Sequence, residues 1–199
     1  MVRLTSILAG ALLAMVFTAA PGSAQMGISL EGRGGYNFPL GDFEDAGAES
    51  KYGFGADVML SVHDAFSVYG GWGRDEFDCE NCGPDDHYFA QGFEAGLKLL
   101  MPREEGMLPW IRLGGTYHEL GGEVSGQDLQ DLSDAGFGFQ ASAGVDIPLT
   151  EALYVTPAAR FQTFSAELDQ GFGVISAEQD VQYLSLDLAL HYHLPRWDR

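Results

Sequence analysis

Residues 184–194 read LSLDLALHYHL, and this stretch decides the fold. Leucine or tyrosine occupies every even position, whereas the odd positions begin with Ser185, Asp187, Ala189 and His191. Successive side chains of an extended strand point to opposite faces, so a period of two predicts a β-strand with one apolar and one polar face. Helical spacing does not fit this pattern.

Seven further stretches alternate in the same way and have the length of tilted membrane-spanning strands. The sequence therefore predicts eight strands, at Gly27–Phe38, Lys51–Val62, Phe66–Arg74, His87–Met101, Leu108–His118, Ala135–Ile147, Leu153–Ala166 and Val181–Leu194. Pro157 lies inside the seventh stretch and is expected to mark a bulge, because proline cannot donate to the strand ladder.

The connections alternate between short and long. The short ones, Val62–Ala65, Pro102–Met107 and Pro148–Ala152, contrast with four acidic segments that hold 19 of the 29 Asp and Glu residues and no Lys or Arg. These segments are Pro39–Ser50, Asp75–Asp86, Glu119–Asp134 and Glu167–Asp180. Short turns at one end and longer loops at the other are typical of an up-and-down transmembrane barrel.

Two architectures share this alternation, a soluble barrel with its apolar face inside and a membrane barrel with its apolar face outside. The polar faces distinguish them, because they carry five acids against four bases in a chain whose net charge is −19. A water-exposed face would share the acidic excess, whereas ions in a crowded interior must pair. We therefore predict an all-β, closed antiparallel membrane barrel of about eight strands, with an interior charge network of Glu31, Arg33, Asp57, Glu94, Lys98, Arg112, Asp146, Arg160 and Asp187. Two roles are open for these charges. They line a narrow, gated ion path, or they simply fill and stiffen the interior, which is the role we favour.

The N-terminus is predicted to be an export signal at residues 1–24, followed by one barrel domain at residues 25–199. Arg3 precedes an apolar run at Ile7–Ala20, and small residues follow it. Removing this segment leaves nine basic and 29 acidic residues, a net charge of −20. Such a charge argues against a nucleic-acid partner, which needs basic patches. No apolar run reaches the roughly 18 residues that a spanning helix needs.

Sequence features that suggest chemistry are few. Cys79 and Cys82 form an isolated CxxC, for which a short loop disulfide and a pair of free thiols are both open. One acidic segment offers six candidate ligands for divalent cations without the spacing of an EF-hand loop, namely Asp75, Glu76, Asp78, Glu80, Asp85 and Asp86. We predict no specific metal site and no cofactor. Ser142, Ser185, His118 and His191 are not arranged in any catalytic motif, so we predict a non-enzymatic protein.

Over residues 25–194 the chain resembles the small outer-membrane barrels of the OmpA/OmpX type. Leu108–Gly115, LPWIRLGG, is similar to the family's entry into a Gly-rich strand, and Leu149–Leu153 is similar to its periplasmic turn, followed by a strand bearing Arg160. The ending HYHL at 191–194 resembles the C-terminal signal read by the barrel assembly machinery, although it lacks a terminal Phe and five residues follow it.

The resemblance implies an integral protein of the bacterial outer membrane that contacts lipid and lipopolysaccharide and is inserted by the barrel assembly machinery. We expect a monomer with a structural or surface role, or one that passes small solutes through a narrow channel. Two alternatives remain open from the sequence: a carrier for small apolar molecules, and a membrane-embedded lipid-modifying enzyme.

Overall fold

Eight long antiparallel strands close into a barrel. The structure, a computed structural model, describes residues 27–79, 83, 86–101, 106–124, 127–129, 133–168 and 178–195. The long strands are β1 (Gly27–Leu40), β2 (Ala48–His63), β3 (Phe66–Cys79), β4 (His87–Leu100), β5 (Leu108–Val124), β8 (Gly136–Pro148), β9 (Leu153–Leu168) and β10 (Glu178–His193). Two short strands, β6 (Gln127–Leu129) and β7 (Ser133–Asp134), lie between β5 and β8, and a single-turn helix, α1 (Asp42–Asp45), joins β1 to β2.

Each long strand pairs with its neighbours in chain order, and β10 returns to pair with β1. This last pairing places Leu188 opposite Gly34 and closes the barrel. The short strand β6 pairs with β5, and β7 pairs with β9. Closure matters because it leaves no edge strand of the barrel with unpaired backbone groups, the condition for crossing a bilayer with strands.

The predicted all-β fold is confirmed, with two corrections at the strand level. First, the strands continue into all four acidic segments expected to be loops, because their pairing continues there: β2 begins at Ala48, β3 runs to Cys79, β5 to Val124, and β10 begins at Glu178. Second, the bulge expected at Pro157 is absent. The pairs Gly144–Ala158 and Ile147–Val155 keep one register on either side of it, so only the two intervening pairs are missing.

The apolar face of each strand points outward, as predicted. Leu97 is 48% exposed and Leu188 is 60% exposed, and neither forms part of a protein core. The other large apolar side chains exposed on the strands are Ile28, Leu30, Tyr36, Phe38, Tyr52, Phe54, Val58, Phe93, Leu99, Leu113, Tyr117, Phe137, Phe139, Leu186, Leu190 and Tyr192. A continuous apolar outer surface of this kind is a surface for lipid rather than water.

The apolar surface ends in a row of aromatic side chains. Trp72, Phe93, Tyr117 and Phe137 lie opposite one another on β3, β4, β5 and β8. The next outward row is polar, with Arg74 donating to Gln91 and Gln91 donating to Glu119. Aromatic girdles mark the interface between hydrocarbon and headgroups. This row therefore fixes one boundary of the lipid-facing belt.

The two ends of the barrel differ. The short-turn end carries the brief connections after β2, β4 and β8, and the long-loop end carries α1 and the acidic segments. The belt runs from Phe93 on β4 to Met101 just after that strand, which spans about 20 Å along the barrel axis for a strand tilted by about 40°. Among the described residues, no helix is long and apolar enough to cross a membrane.

Candidate functional site in the barrel lumen

The lumen holds the charged residues. All nine residues predicted for the interior network are buried, and a tenth, Asp75, joins them. The nine predicted residues come from seven of the eight long strands, and Asp75 comes from the remaining one, β3. Following the barrel axis from the short-turn end, the contacts form three layers, followed by an apolar cap.

The layer nearest the short-turn end is centred on Asp146. Its carboxylate accepts hydrogen bonds from Lys98 Nζ at 2.8 Å, Trp110 Nε1 at 2.8 Å and Thr156 Oγ1 at 2.9 Å. His191 Nδ1 lies 3.6 Å from the same carboxylate. One carboxylate thus receives three donors, one of which is the Lys98 cation, and this satisfies a buried charge.

The central layer is built around two arginines and three acids. Arg112 Nη2 lies 2.7 Å from Glu31 Oε2, and Arg112 Nη1 lies 3.3 Å from Asp57 Oδ2. Arg33 Nη1 contacts both Asp57 Oδ2 at 2.8 Å and Glu94 Oε1 at 2.6 Å. Arg33 and Glu94 are 61 residues apart in sequence and meet only because the barrel closes.

Gln140 connects the central layer to the opposite wall. Its amide nitrogen donates to Glu94 Oε2 at 2.8 Å and to the Tyr69 hydroxyl at 2.9 Å. The central layer therefore extends across the lumen from β1 through β4 to β8.

The layer nearest the long-loop end is centred on Arg160. Its Nη1 and Nη2 atoms form a two-point contact with Asp75 at 3.0 and 2.9 Å, and its Nε donates to Asp187 at 2.9 Å. Tyr183 donates to the same Asp75 carboxylate at 2.7 Å. A forked arginine–carboxylate contact is the strongest and most directional of protein ion pairs.

An apolar cap covers this last layer. Phe43 of α1 turns into the barrel mouth, where its ring lies 4.9 Å from that of Phe77, which in turn lies 5.1 Å from Tyr183. Val181, Phe164, Leu120, Ala90, Ala48 and Ala166 complete the cluster, and all are buried. The lumen is thus polar along the belt and apolar at the long-loop end.

Glycines on the inner face make room for the ion pairs. A Cβ at Gly55 or Gly73 would lie 2.7 Å from the Arg33 guanidinium, and one at Gly71 would collide with Asp57. On the outer face, by contrast, a Cβ at Gly32 would meet nothing. At these positions glycine therefore leaves space for long charged side chains.

The cavity that lies between the layers is small. One internal cavity offers about 20 Å³ to the centre of a water molecule, room for about one water. It lies between Arg33, Arg112, Arg160, Gln140 and the small side chains of β8 to β10. The described part of the lumen is therefore a packed polar core.

Asp75 and Phe43 are two of the lumen residues that the sequence analysis missed or misplaced. Asp75 was taken as a loop carboxylate and a candidate cation ligand, but it is buried against Arg160 and Tyr183. The available signal was the spacing of two residues between Asp75 and Phe77, which puts both side chains on the same face of β3. Phe43 gave no signal, because a single aromatic residue in an acidic connection has no periodicity.

The remaining cation candidates do not form a described metal site. Glu76 and Asp78 face outward, where Lys51 Nζ lies 3.8 and 2.9 Å from their carboxylates. Glu80 and Asp85 lie outside the described residues, and Asp86 accepts a backbone hydrogen bond from Gly83. No group of three or more possible metal ligands occurs among the residues that the structure describes.

Cys79 is disulfide-bonded at the end of β3. Cys82 lies outside the described residues, as does the predicted export signal, so the pairing of Cys79 with Cys82 and the position of the signal stay predictions. His118, which the sequence placed in no catalytic motif, is buried in the lumen beside Gln162.

Comparison with known proteins supports the fold. No family model matches the chain, and no curated protein matches it. The crystal structure of Neisserial surface protein A is similar with a TM-score of 0.62 at 10% identity, over 83% of this chain and 96% of that one. The chain has the fold of the small outer-membrane β-barrels.

Two further structures share this barrel. The outer membrane protein OprG from Pseudomonas aeruginosa matches with a TM-score of 0.55 at 13% identity, over 84% of this chain and 96% of that one. The outer membrane protein AlkL, determined in lipid bilayers, matches with a TM-score of 0.54 at 12% identity, over 92% and 96%. At these identities the likeness is one of fold.

Proposed function

We propose that the protein is an integral, non-conducting barrel of the bacterial outer membrane that serves as a structural or surface component. The observation that carries this proposal is the lumen. Three layers of buried ion pairs and an apolar cap lie across it along the described strands, and the cavity between Arg33, Arg112 and Arg160 has room for about one water molecule. A barrel of about eight strands has space for side chains or one small ligand, and here the side chains take that space.

The lipid-facing belt and the acidic loops support the location. The belt presents apolar side chains outward and ends at an aromatic row, as hydrocarbon and headgroups require. With the short turns on the periplasmic side, the acidic segments face the exterior and attract divalent cations that bridge to lipopolysaccharide. Insertion by the barrel assembly machinery and a monomeric state belong to the same proposal.

Narrow solute passage and carriage of apolar molecules are the competing functions. A carrier needs a wide apolar cavity, whereas the described lumen is crossed by Arg33, Arg112 and Arg160 with their acids. We also propose that the protein is not an enzyme. Within the described part of the chain, the hydrogen bond of Ser185 goes to Asn37 and that of His118 to Gln162, so neither supports a Ser–His pair.

Conductance in planar bilayers tests the proposal. The purified full chain, shown to be inserted by flotation with vesicles and by its heat-dependent migration on gels, is expected to leave the bilayer silent. The reason is that permeation requires breaking buried ion pairs, each of which costs several kcal/mol to open. Steady, reproducible openings by inserted protein contradict the proposal and favour the narrow channel.

A further inference from the structure

The strands β1 and β2 separate at the long-loop end of the barrel. Their pairing ends at Asn37 opposite Lys51, in a part of the chain that the structure describes without a gap. Beyond that pair, β1 continues along β10 and β2 continues along β3. Residues 38–40 and 48–50 are therefore each paired on one side only, and the barrel wall opens between them.

This opening holds a large groove. The groove is open to solvent and encloses about 930 Å³, which is within the range of ligand-binding pockets. Phe38 and Leu40 line it from β1, Glu49 lines it from β2, and Glu44 and Asp45 line it from α1. It therefore combines an apolar strip on one side with acidic side chains on the other.

The groove lies beyond the lipid-facing belt. Tyr36 and Tyr52 lie opposite each other on β1 and β2 and are 49% and 53% exposed, and outward tyrosines mark the level of the headgroups. The Tyr36 hydroxyl donates to the backbone oxygen of Ser50 at 3.0 Å, where the two strands diverge. The three acids of the groove are exposed and favour water over hydrocarbon. An occupant of the groove therefore comes from the aqueous side.

The negative charge of the groove is not balanced by its neighbours. Within the described parts of the chain, Glu44, Asp45 and Glu49 form no ion pair, and the nearby Lys51 is engaged with Asp78 at 2.9 Å. Three carboxylates that converged on one point would suit a metal ion, but no group of three possible metal ligands occurs among the described residues. The three acids therefore match cations that are spread along a chain.

We propose that this groove is a docking site for an extended, cationic segment of a partner protein. The backbone of the segment adds to the edges of β1 and β2 at residues 38–40 and 48–50. Its apolar side chains pack on Phe38 and Leu40, and its lysines or arginines pair with the three acids. A second copy of this chain does not fit, because its net charge of −19 repels an acidic groove. The inference rests on the proposed surface role and gives that role a kind of partner.

Peptide binding to the full chain in phosphatidylcholine nanodiscs tests the docking site. The probe is a labelled peptide of alternating lysine and valine, followed by fluorescence anisotropy, with empty nanodiscs as the background. This peptide is expected to bind, and to bind more weakly as salt is added. A peptide of alternating glutamate and valine is expected not to bind. Methylating the backbone nitrogens of the lysine peptide should weaken its binding, because the methyl groups block strand pairing.

A pair of matched variants locates the binding. Asp45→Asn with Glu49→Gln removes two acids of the groove and should weaken binding of the lysine peptide by about fivefold, the effect of losing two exposed ion pairs. Asp64→Asn with Glu151→Gln removes two exposed acids from the short turns and should bind like the wild type. All four side chains are exposed, so both variants should fold, which heat-dependent migration on gels checks.

Four results overturn the proposal. The first is that the wild type binds no more lysine peptide than empty nanodiscs do, and the second is that the two double variants bind it equally. The third is that backbone methylation leaves binding unchanged. The fourth is a dimer in sedimentation that the groove variant dissociates, which assigns the groove to a second copy. Conductance keeps the two proposals apart. Steady openings with intact peptide binding contradict only the non-conducting barrel, and silent bilayers without peptide binding contradict only the docking site.

Discussion

Replacing Arg160 by methionine is expected to destabilise the barrel by about 3–5 kcal/mol, the cost of stranding buried charges. Arg160 is the cation for two carboxylates, Asp75 and Asp187, and its side chain is only 5% exposed. Methionine fills a similar volume but leaves both acids without a partner. Urea unfolding of the protein in vesicles, followed by the loss of the folded band on unheated gels, measures the change.

Two further variants separate charge from packing. Lys51→Met removes a cation from the outer surface, where it pairs with Asp78 at 2.9 Å, and should cost at most about 1 kcal/mol. Combining Arg160→Met with Asp75→Asn and Asp187→Asn removes the stranded charges, and most of the lost stability should return. If Arg160→Met is as stable as Lys51→Met, the layer nearest the long-loop end is not a buried ion network.

Placing an arginine at Leu97 is expected to destabilise the inserted barrel by about 2–4 kcal/mol, the cost of a charge at the middle of the hydrocarbon. Leu97 faces outward midway between Phe93 and Met101 and lies opposite Val68 and Leu113. The cost arises because the guanidinium must reach the headgroups or draw water into the membrane. Equilibrium unfolding in vesicles measures the change in the free energy of unfolding.

The matched control is Leu149→Arg, in the short turn between β8 and β9, where the side chain is also exposed. At the membrane boundary the same charge should cost about 0–1 kcal/mol. Equal effects at the two positions would show that depth in a membrane does not govern the outer face. A lack of any effect at Leu97 would mean that this face meets water.

The strands and their sidedness were predictable from the sequence because they depend on a local period. The alternation through residues 184–194 needs no partner to be recognised, and it recurs in every long strand. The nearly equal numbers of acids and bases on the polar face then indicated that this face points into the barrel and that the apolar face meets lipid. Those inferences required composition and periodicity alone.

The pairing inside the lumen was not predictable, because it is set by strand register and by closure. Arg33 reaches Glu94 across the lumen, and Arg160 reaches Asp75, residues 85 apart. Nothing local in the sequence specifies these partners. Asp75 was misplaced for a related reason: the run of acids around it indicated a solvated loop, whereas the pairing of β3 with β4 carries the strand beyond the membrane.

The apolar cap could not be predicted from the sequence for a different reason. Phe43 sits in the sequence GDFEDAG, which predicts a turn, and its burial depends on where α1 falls relative to the barrel mouth. Gly41 and Gly47 adopt positive φ on either side of α1, a conformation that glycine tolerates best, and this folds the connection over the mouth. Only the three-dimensional arrangement shows that the residue meets Phe77.

Quenching of tryptophan by lipids brominated along their acyl chains tests the sidedness of the barrel most directly. In a chain carrying Trp72→Phe and Trp197→Phe, the remaining Trp110 faces the lumen and is 2% exposed, so brominated lipid should leave its fluorescence almost unchanged. Adding Leu97→Trp to the same chain should introduce a second emission that the lipid strongly quenches. Strong quenching of Trp110, together with an unquenched tryptophan at position 97, would reverse the two faces and contradict the account.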